Sequence, residues 1–275
     1  MRRRRTPAAR ALTHSCCALV WLLRAAALLV LVIPIALVVG LSFARDAYVA
    51  IPPSGYSLRW YANIVAERDF LPAFAVSLEV ALIVTAVSVS AGTLAACGLY
   101  RWDPPGRRWV ELALASPVMV PLVVTGAALL VFLNRLGVTG AFWNIVIGHV
   151  LITFPYVVRT VSAALSRYDA ALDEAASGLG GRPWDVFWRI TLPIVRPGIL
   201  AGALFAFVMS FDDFTVTIFL IGADMKTLPV AIYQYMEWNL DPTVSAVSAA
   251  LIGMAVAATL VIERFVGLDR FLGIR

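Results

Sequence analysis

The sequence predicts an all-α integral membrane protein with six transmembrane helices, and three observations carry that prediction. The 275-residue chain is 61% hydrophobic and 14% charged, with a mean hydropathy of +0.87, far to the apolar side of soluble domains. Apolar windows of about 20 residues, the length a helix needs to cross a hydrocarbon core about 30 Å thick, recur along the chain. The basic residues fall between those windows. The net charge of +5 therefore reads as membrane orientation and not as a nucleic-acid-binding face.

The first span, residues 22–43, follows the basic segment "MRRRRTPAAR". Ser42-Phe43-Ala44 loosely resembles a cleavage site, but the apolar run is too long for a signal-peptide core of about 7–15 residues, so it reads as an uncleaved helix. The further spans are expected at 73–99, 110–133, 141–162, 196–221 and 243–262. With the N-terminus inside, 17 of the 22 Lys and Arg residues fall on the inner side, from Arg2–Arg5, Arg10 and Arg24 through Arg101, Arg107, Arg108, Arg159, Arg167, Arg182, Arg189 and Arg196 to Arg264, Arg270 and Arg275. Arg45, Arg59, Arg68, Arg135 and Lys226 fall outside. Both termini are expected in the cytoplasm.

This divides the chain into a basic N-terminus (1–21), a first helix with its outer loop (22–70), a core of spans (71–265) containing an inner loop at 163–193, and a short tail (266–275). In the outer loop Pro52, Pro53 and Gly55 make a turn, and Leu58, Trp60, Tyr61 and Ile64 suit a short interfacial helix. "RWDPPGRRW" is a tight basic turn with Trp102 and Trp109 at the interface. Cys16, Cys17 and Cys97 suggest reduced thiols and no disulfide framework. No metal site is expected.

The inner loop "AALSRYDAALDEAASGLGGRPWDVFWRITLP" is the most informative stretch. Residues 166–177 favour helix, with Asp169, Asp173 and Glu174 near its start. Gly178, Gly180 and Gly181 stop it, and Pro183 suits the first turn of a second helix with Trp184, Phe187, Trp188 and Leu192 at three- and four-residue spacing. Two short helices meeting at a glycine break form a knuckle suited to docking a partner. An interfacial helix pair packing its Trp and Phe against the membrane is the plainer reading.

Spacing separates the two. Glu174, Ala175 and Ala176, then Gly180, then Ile190, Leu192 and Pro193 match Glu-Ala-Ala, three residues, Gly, nine residues, Ile-x-Leu-Pro, seven positions over 20 residues. This resembles the signature of permease subunits of binding-protein-dependent ABC importers. "FVMSFDDFTVTIFLIG" and "TLPVAIYQYMEWNLDPTVSAVSAALI" are similar to parts of the second permease of spermidine/putrescine importers, so the resemblance runs from about Leu71 to the C-terminus. Gly181-Arg182 stands where many relatives carry Ala-Ser or Ala-Thr, so a side-chain N-cap of the second loop helix is expected to be missing.

The resemblance implies a MetI-like permease fold in a bacterial inner membrane, paired with a second permease. It also implies two cytoplasmic ATPase subunits that dock on this loop as a coupling helix, and an external solute-binding protein. No Gly-x-x-x-x-Gly-Lys-Ser/Thr loop occurs. ATP and Mg²⁺ are therefore expected on the partner ATPase, with no cofactor bound by this chain and no catalysis by it.

"SFDDFTVTIFLIG" places Asp212 and Asp213 in an apolar span, where a lipid-facing charge costs about 2.5–3.5 kcal/mol on insertion scales. On a helix, adjacent residues point about 100° apart. Ser210, Asp213 and Thr217 then form a polar stripe expected on the translocation pathway, and Asp212 is expected toward the partner permease or a neighbouring helix. Structural hydrogen bonds or ion pairs are the competing reading. A carboxylate partly replaces the hydration of an ammonium group, which favours a cationic cargo. Tyr233, Tyr235, Glu237 and Trp238 could receive a cation at the outer face or form an aromatic belt. Glu79 is expected to snorkel, His149 to pack by hydrogen bonding, and Pro155 to kink the fourth span. The alternatives are an importer permease for iron, thiamine or an opine, or an ATP-independent secondary transporter.

Overall fold

The computed structural model describes residues 7–48, 50–102, 104–169, 171–222 and 225–266. Arg2–Arg5, Arg270, Arg275 and nearly all of the expected tail lie outside them. The chain forms two compact units, residues 1–67 with 236–275, and residues 68–235. Among the described residues five helices are long and apolar enough to cross a membrane, six if a pair bent at a short break counts as one span.

In the first unit, α1 (Pro7–Ser42) and α2 (Arg59–Ala66) pack on α12 (Thr243–Val266). The apolar stretch Leu19–Ser42 buries almost nothing within the chain, so its side chains must be covered by lipid or by another subunit. Between α1 and α2 the chain is pinned by polar contacts. Trp60, expected at the interface, is buried and donates its indole N–H to the Ala44 carbonyl at 2.7 Å. Asp46 accepts from the amide and hydroxyl of Ser54, and those bonds hold its carboxyl below the usual range.

In the second unit, α3 (Phe70–Trp102), α6 (Ala141–Leu165) and α9 (Leu192–Asp212) pack mutually and carry the core. One apolar cluster joins Ala96, Val157, Val161, Leu165 and Val195, and a second joins Val80, Val84, Ile145, Ile152, Val216 and Leu220. The α6–α9 contact is close because Gly198 and Gly202 repeat at four-residue spacing. A Cβ added at Gly198 would lie 2.7 Å from the Thr160 carbonyl, and one at Gly202 would lie 3.1 Å from the Cα of Val157. Without a hydrophobic drive between helices in lipid, such backbone approach supplies the packing energy.

Two expected spans are corrected. The stretch 110–133 is not one straight helix. It is α4 (Arg107–Met119) and α5 (Leu122–Arg135), meeting at 100°. Pro121 has no N–H to donate and forces Val120 out of the helical region, to φ −86°, ψ 133°. The span expected at 196–221 begins earlier and ends earlier. A continuous helix runs from Pro183 to Asp212, comprising α8 (Pro183–Val186), a widened π turn (Phe187–Thr191) and α9. The π turn lets the Leu192 N–H reach back to the Phe187 carbonyl just before Pro193, so the helix passes into the proline without breaking. After Asp212 the chain turns extended, forms the single turn α10 (Thr217–Leu220), and enters α11 (Leu228–Trp238).

Candidate functional site

The expected functional residues fall in the loop before α9, at the break after it, and on α11. In the loop, α7 (Ala171–Gly178) starts later than the expected 166 and buries none of its residues. Asp173 and Glu174 lie in its first turn, where carboxylates favour the helix dipole. The helix ends in a Schellman cap. The Gly181 N–H bonds to the Ala176 carbonyl at 3.0 Å, the Gly180 N–H bonds to that of Ser177 at 3.0 Å, and Gly180 sits at φ +85°. Arg182 caps the next helix without a side-chain bond, as its sequence position suggested.

The two halves of the motif behave differently. Glu174 and Ala175 stand outward and Ala176 is half-buried, next to a Leu179 that is 91% exposed. Ile190 packs on the cluster of Val157, Val161 and Leu165, and Leu192 and Pro193 open α9. The motif thus joins an outward knuckle to a root in the core.

The knuckle is also tied sideways. The Tyr168 hydroxyl donates to Asp173, and Arg101 at the end of α3 reaches Asp173 Oδ2 at 3.5 Å and Thr191 Oγ1 at 2.9 Å. The Arg101 guanidinium lies 5.9 Å from the Phe187 ring centroid. Sequence reasoning missed Arg101, Tyr168 and Thr191: the Arg101 partners lie 72 and 90 residues away and leave no local signal, and the Tyr168–Asp173 contact spans five residues across a non-helical turn. Burial pushes the Tyr168 phenol above its ordinary value, and its bond to Asp173 adds to the shift. The neutral phenol is the donor. Its contribution is complete below about pH 10 and is lost as pH rises through the raised folded value. Tyr168→Phe is therefore expected to flatten the alkaline limb of thermal stability above about pH 10 while costing about 1 kcal/mol at neutral pH, measured by thermal unfolding across pH.

At the break, Asp212 and Asp213 part company. Asp212 is exposed at the end of α9, whereas Asp213 is 8% exposed in extended backbone at φ −69°, ψ 119°. The carboxylate Oδ2 of Asp213 accepts from the amides of Val216 at 3.0 Å and Thr217 at 2.9 Å, and lies 3.3 Å from His149 Nε2. His149 is fully buried, with Nδ1 2.9 Å from Ser210 Oγ and Nε2 2.8 Å from Thr217 Oγ1. The chain of contacts continues from the His149 carbonyl to Thr153 at 2.7 Å and from Thr153 to Ser88 at 2.8 Å.

The helical stripe of Ser210, Asp213 and Thr217 is thereby corrected. The three do converge, but because the helix stops and α10 folds back onto α6, not because they share one face. Their polar atoms are occupied among themselves and by His149, whose expected role as a packing hydrogen bonder this geometry matches. Asp212, expected to face a neighbour, is the carboxylate left open. Residues near it in the chain carry rings: Phe211 meets Phe74 edge-on at 5.8 Å and stacks with Phe207 at 5.9 Å, and Phe214 meets Tyr233 at 4.8 Å. Tyr235 packs on Phe70 at 5.2 Å, while Glu237 and Trp238 are exposed. Among the described residues no cluster of His, Cys, Asp or Glu could hold a metal ion.

Comparison with known proteins agrees with this architecture. Residues 88–268 match the family model described as binding-protein-dependent transport system inner membrane component. The chain is 30% identical over 227 residues to the spermidine/putrescine transport system permease protein PotC of Haemophilus influenzae, covering 82% of this chain and 88% of that one. It is 30% identical over 207 residues to the putrescine transport system permease protein PotI of Escherichia coli, covering 73% of this chain and 74% of its relative. A bacterial ABC transporter chain involved in import of the acidic polysaccharide alginate superposes with a TM-score of 0.69 at 15% identity, over 96% of this chain and 98% of that one, which speaks for the fold alone. With two thirds of its length under one family model, a three-helix core and an outward Glu-Ala-Ala knuckle, the chain belongs to the binding-protein-dependent transport system inner membrane components, as a multi-pass permease subunit.

Proposed function

We propose that this permease subunit moves polyamines, or a closely related cationic solute, inward across the membrane in an ATP-driven importer. The carrying observation is the open carboxylate of Asp212 at the end of a broken helix, one residue after a Phe211 whose ring packs with those of Phe74 and Phe207. The neighbouring contact between Asp213 and His149 lies level with a point about 12 Å from the start of α6, which supports a position for Asp212 at depth within the apolar spans. A carboxylate left open in an apolar span suits ammonium groups that shed water in transit, and it disfavours an anion. The names of the relatives above point the same way.

In this reading both termini are cytoplasmic, and the Glu174 knuckle docks on an ATPase that binds ATP and Mg²⁺ and performs hydrolysis. A second, non-identical permease completes the passage, and an external binding protein delivers the cargo. Closure of the ATPase pair pushes α7. The Arg101–Asp173 and Ile190 contacts carry that displacement into α3 and α9. Asp212 has the pathway role, and Ser210, Asp213 and Thr217 hold the bend that presents it.

Asp212→Asn tests the cargo assignment. Uptake of radiolabelled spermidine by proteoliposomes holding the complete transporter is expected to fall about tenfold, equivalent to about 1.4 kcal/mol, with assembly unchanged. Unaltered uptake, or equal loss for a neutral solute, would remove Asp212 from the pathway.

A further inference from the structure

We propose that the groove between α4 and α6 holds the headgroup of an anionic phospholipid. The groove encloses about 470 Å³ and is walled on one side by Arg108 and on the other by Arg159. Both side chains are exposed, and neither forms an ion pair with a described residue. Glu111, the carboxylate in the lining, is engaged by Arg107, Nε to Oε1 at 2.7 Å, and does not neutralise the pair. Ser162 adds a hydroxyl to the same wall.

Two guanidinium forks facing one cleft match the geometry of a phosphate, which accepts bidentate bonds from planar donors. The remainder of the lining is apolar, including Leu112, Ala115 and Val158. A free phosphate has no use for that surface, whereas an acyl chain does. The depth fits as well. Arg108 is at the N-terminal end of α4, and Arg159 lies about 9 Å from the C-terminal end of α6. Exposed Trp102 and Trp109, at the adjoining ends of α3 and α4, mark that level as a membrane interface. Finally, α4 packs on α6 but buries none of its own residues fully, which leaves much of its surface open. Basic pockets between spanning helices at a headgroup level bind acidic lipids for these reasons.

The test is lipid retention by the purified, fully assembled transporter, exchanged into detergent micelles doped with phosphatidylglycerol or phosphatidylcholine and read by native mass spectrometry. Wild type is expected to keep phosphatidylglycerol about tenfold better than phosphatidylcholine. R108Q/R159Q is expected to lose that preference, and R135Q, on the end of α5, to keep it. R108Q and R159Q singly should each lose part of it, which keeps the test open should the double variant not assemble. Equal retention of the two lipids by wild type overturns the proposal. So does an undiminished preference in the Arg108 and Arg159 variants, or displacement of the lipid by soluble glycerol phosphate, which would make the groove a plain anion site. The readout requires no transport, so it stands or falls separately from the cargo assignment.

Discussion

His149→Leu is expected to lower the stability of the permease by about 3–5 kcal/mol, the usual consequence of removing one partner from a buried, hydrogen-bonded charged group. Leucine nearly fills the space but offers no polar atom. Ser210 Oγ, 2.9 Å from one ring nitrogen, and Thr217 Oγ1, 2.8 Å from the other, would each lose a contact in a place water does not reach. Asp213 would keep its two amide donors and the Thr217 hydroxyl and lose the imidazole. Because these groups hold the turn between α9 and α10, the lost contacts should also displace Asp212, so uptake should fall more steeply than the population of folded protein. His149→Gln, which keeps a donor and an acceptor, should recover much of both. Thermal inactivation and spermidine uptake of the reconstituted complex measure the pair of effects. A leucine variant as stable as wild type would mean that the buried polar chain contributes nothing net.

The same residues show how far the sequence could be read. The spacing of Ser210, Asp213 and Thr217 grouped the right side chains, but hydropathy averaged over a window cannot see that a helix stops at Asp212. The missing cue was energetic. Two adjacent carboxylates in an apolar run are better tolerated if one of them caps new backbone N–H groups, which requires a break. Pro121 gave a plainer warning in "VMVP", since the residue before a proline leaves the helical region, yet the apolar run on both sides concealed it. The loop before α9 was legible because its determinants are local: glycine for a left-handed cap, proline for a helix start. Arg101 and Asp173 are 72 residues apart, and nothing in either neighbourhood announces the other. Gly198 and Gly202 were legible in principle as a four-residue glycine repeat in an apolar helix, and went unused.

Gly180→Val is expected to abolish coupled transport while leaving the membrane core folded. At φ +85° a β-branched side chain collides with its own backbone, at a cost of about 1–2 kcal/mol or more, and α7 has few other contacts with which to resist. The cap would open, releasing the bonds from Gly180 and Gly181 to the Ser177 and Ala176 carbonyls, and Glu174 would lose its fixed direction relative to α8. The core should not notice, because none of the α7 side chains is buried. Controls lie within the same four residues. Gly180→Asn should be mild, since asparagine visits the left-handed region. Gly178→Ala should be neutral or slightly stabilising, since that glycine is helical with open space where a Cβ would go. Gly181→Ala should fall between, because its Cβ would meet the Ala176 carbonyl at 2.8 Å. Co-purification with the ATPase and substrate-stimulated ATP turnover in proteoliposomes rank the four variants. If valine at 180 couples as well as asparagine does, the left-handed cap is not what aims the knuckle, and the contacts of Asp173 with Arg101 and Tyr168 must hold α7.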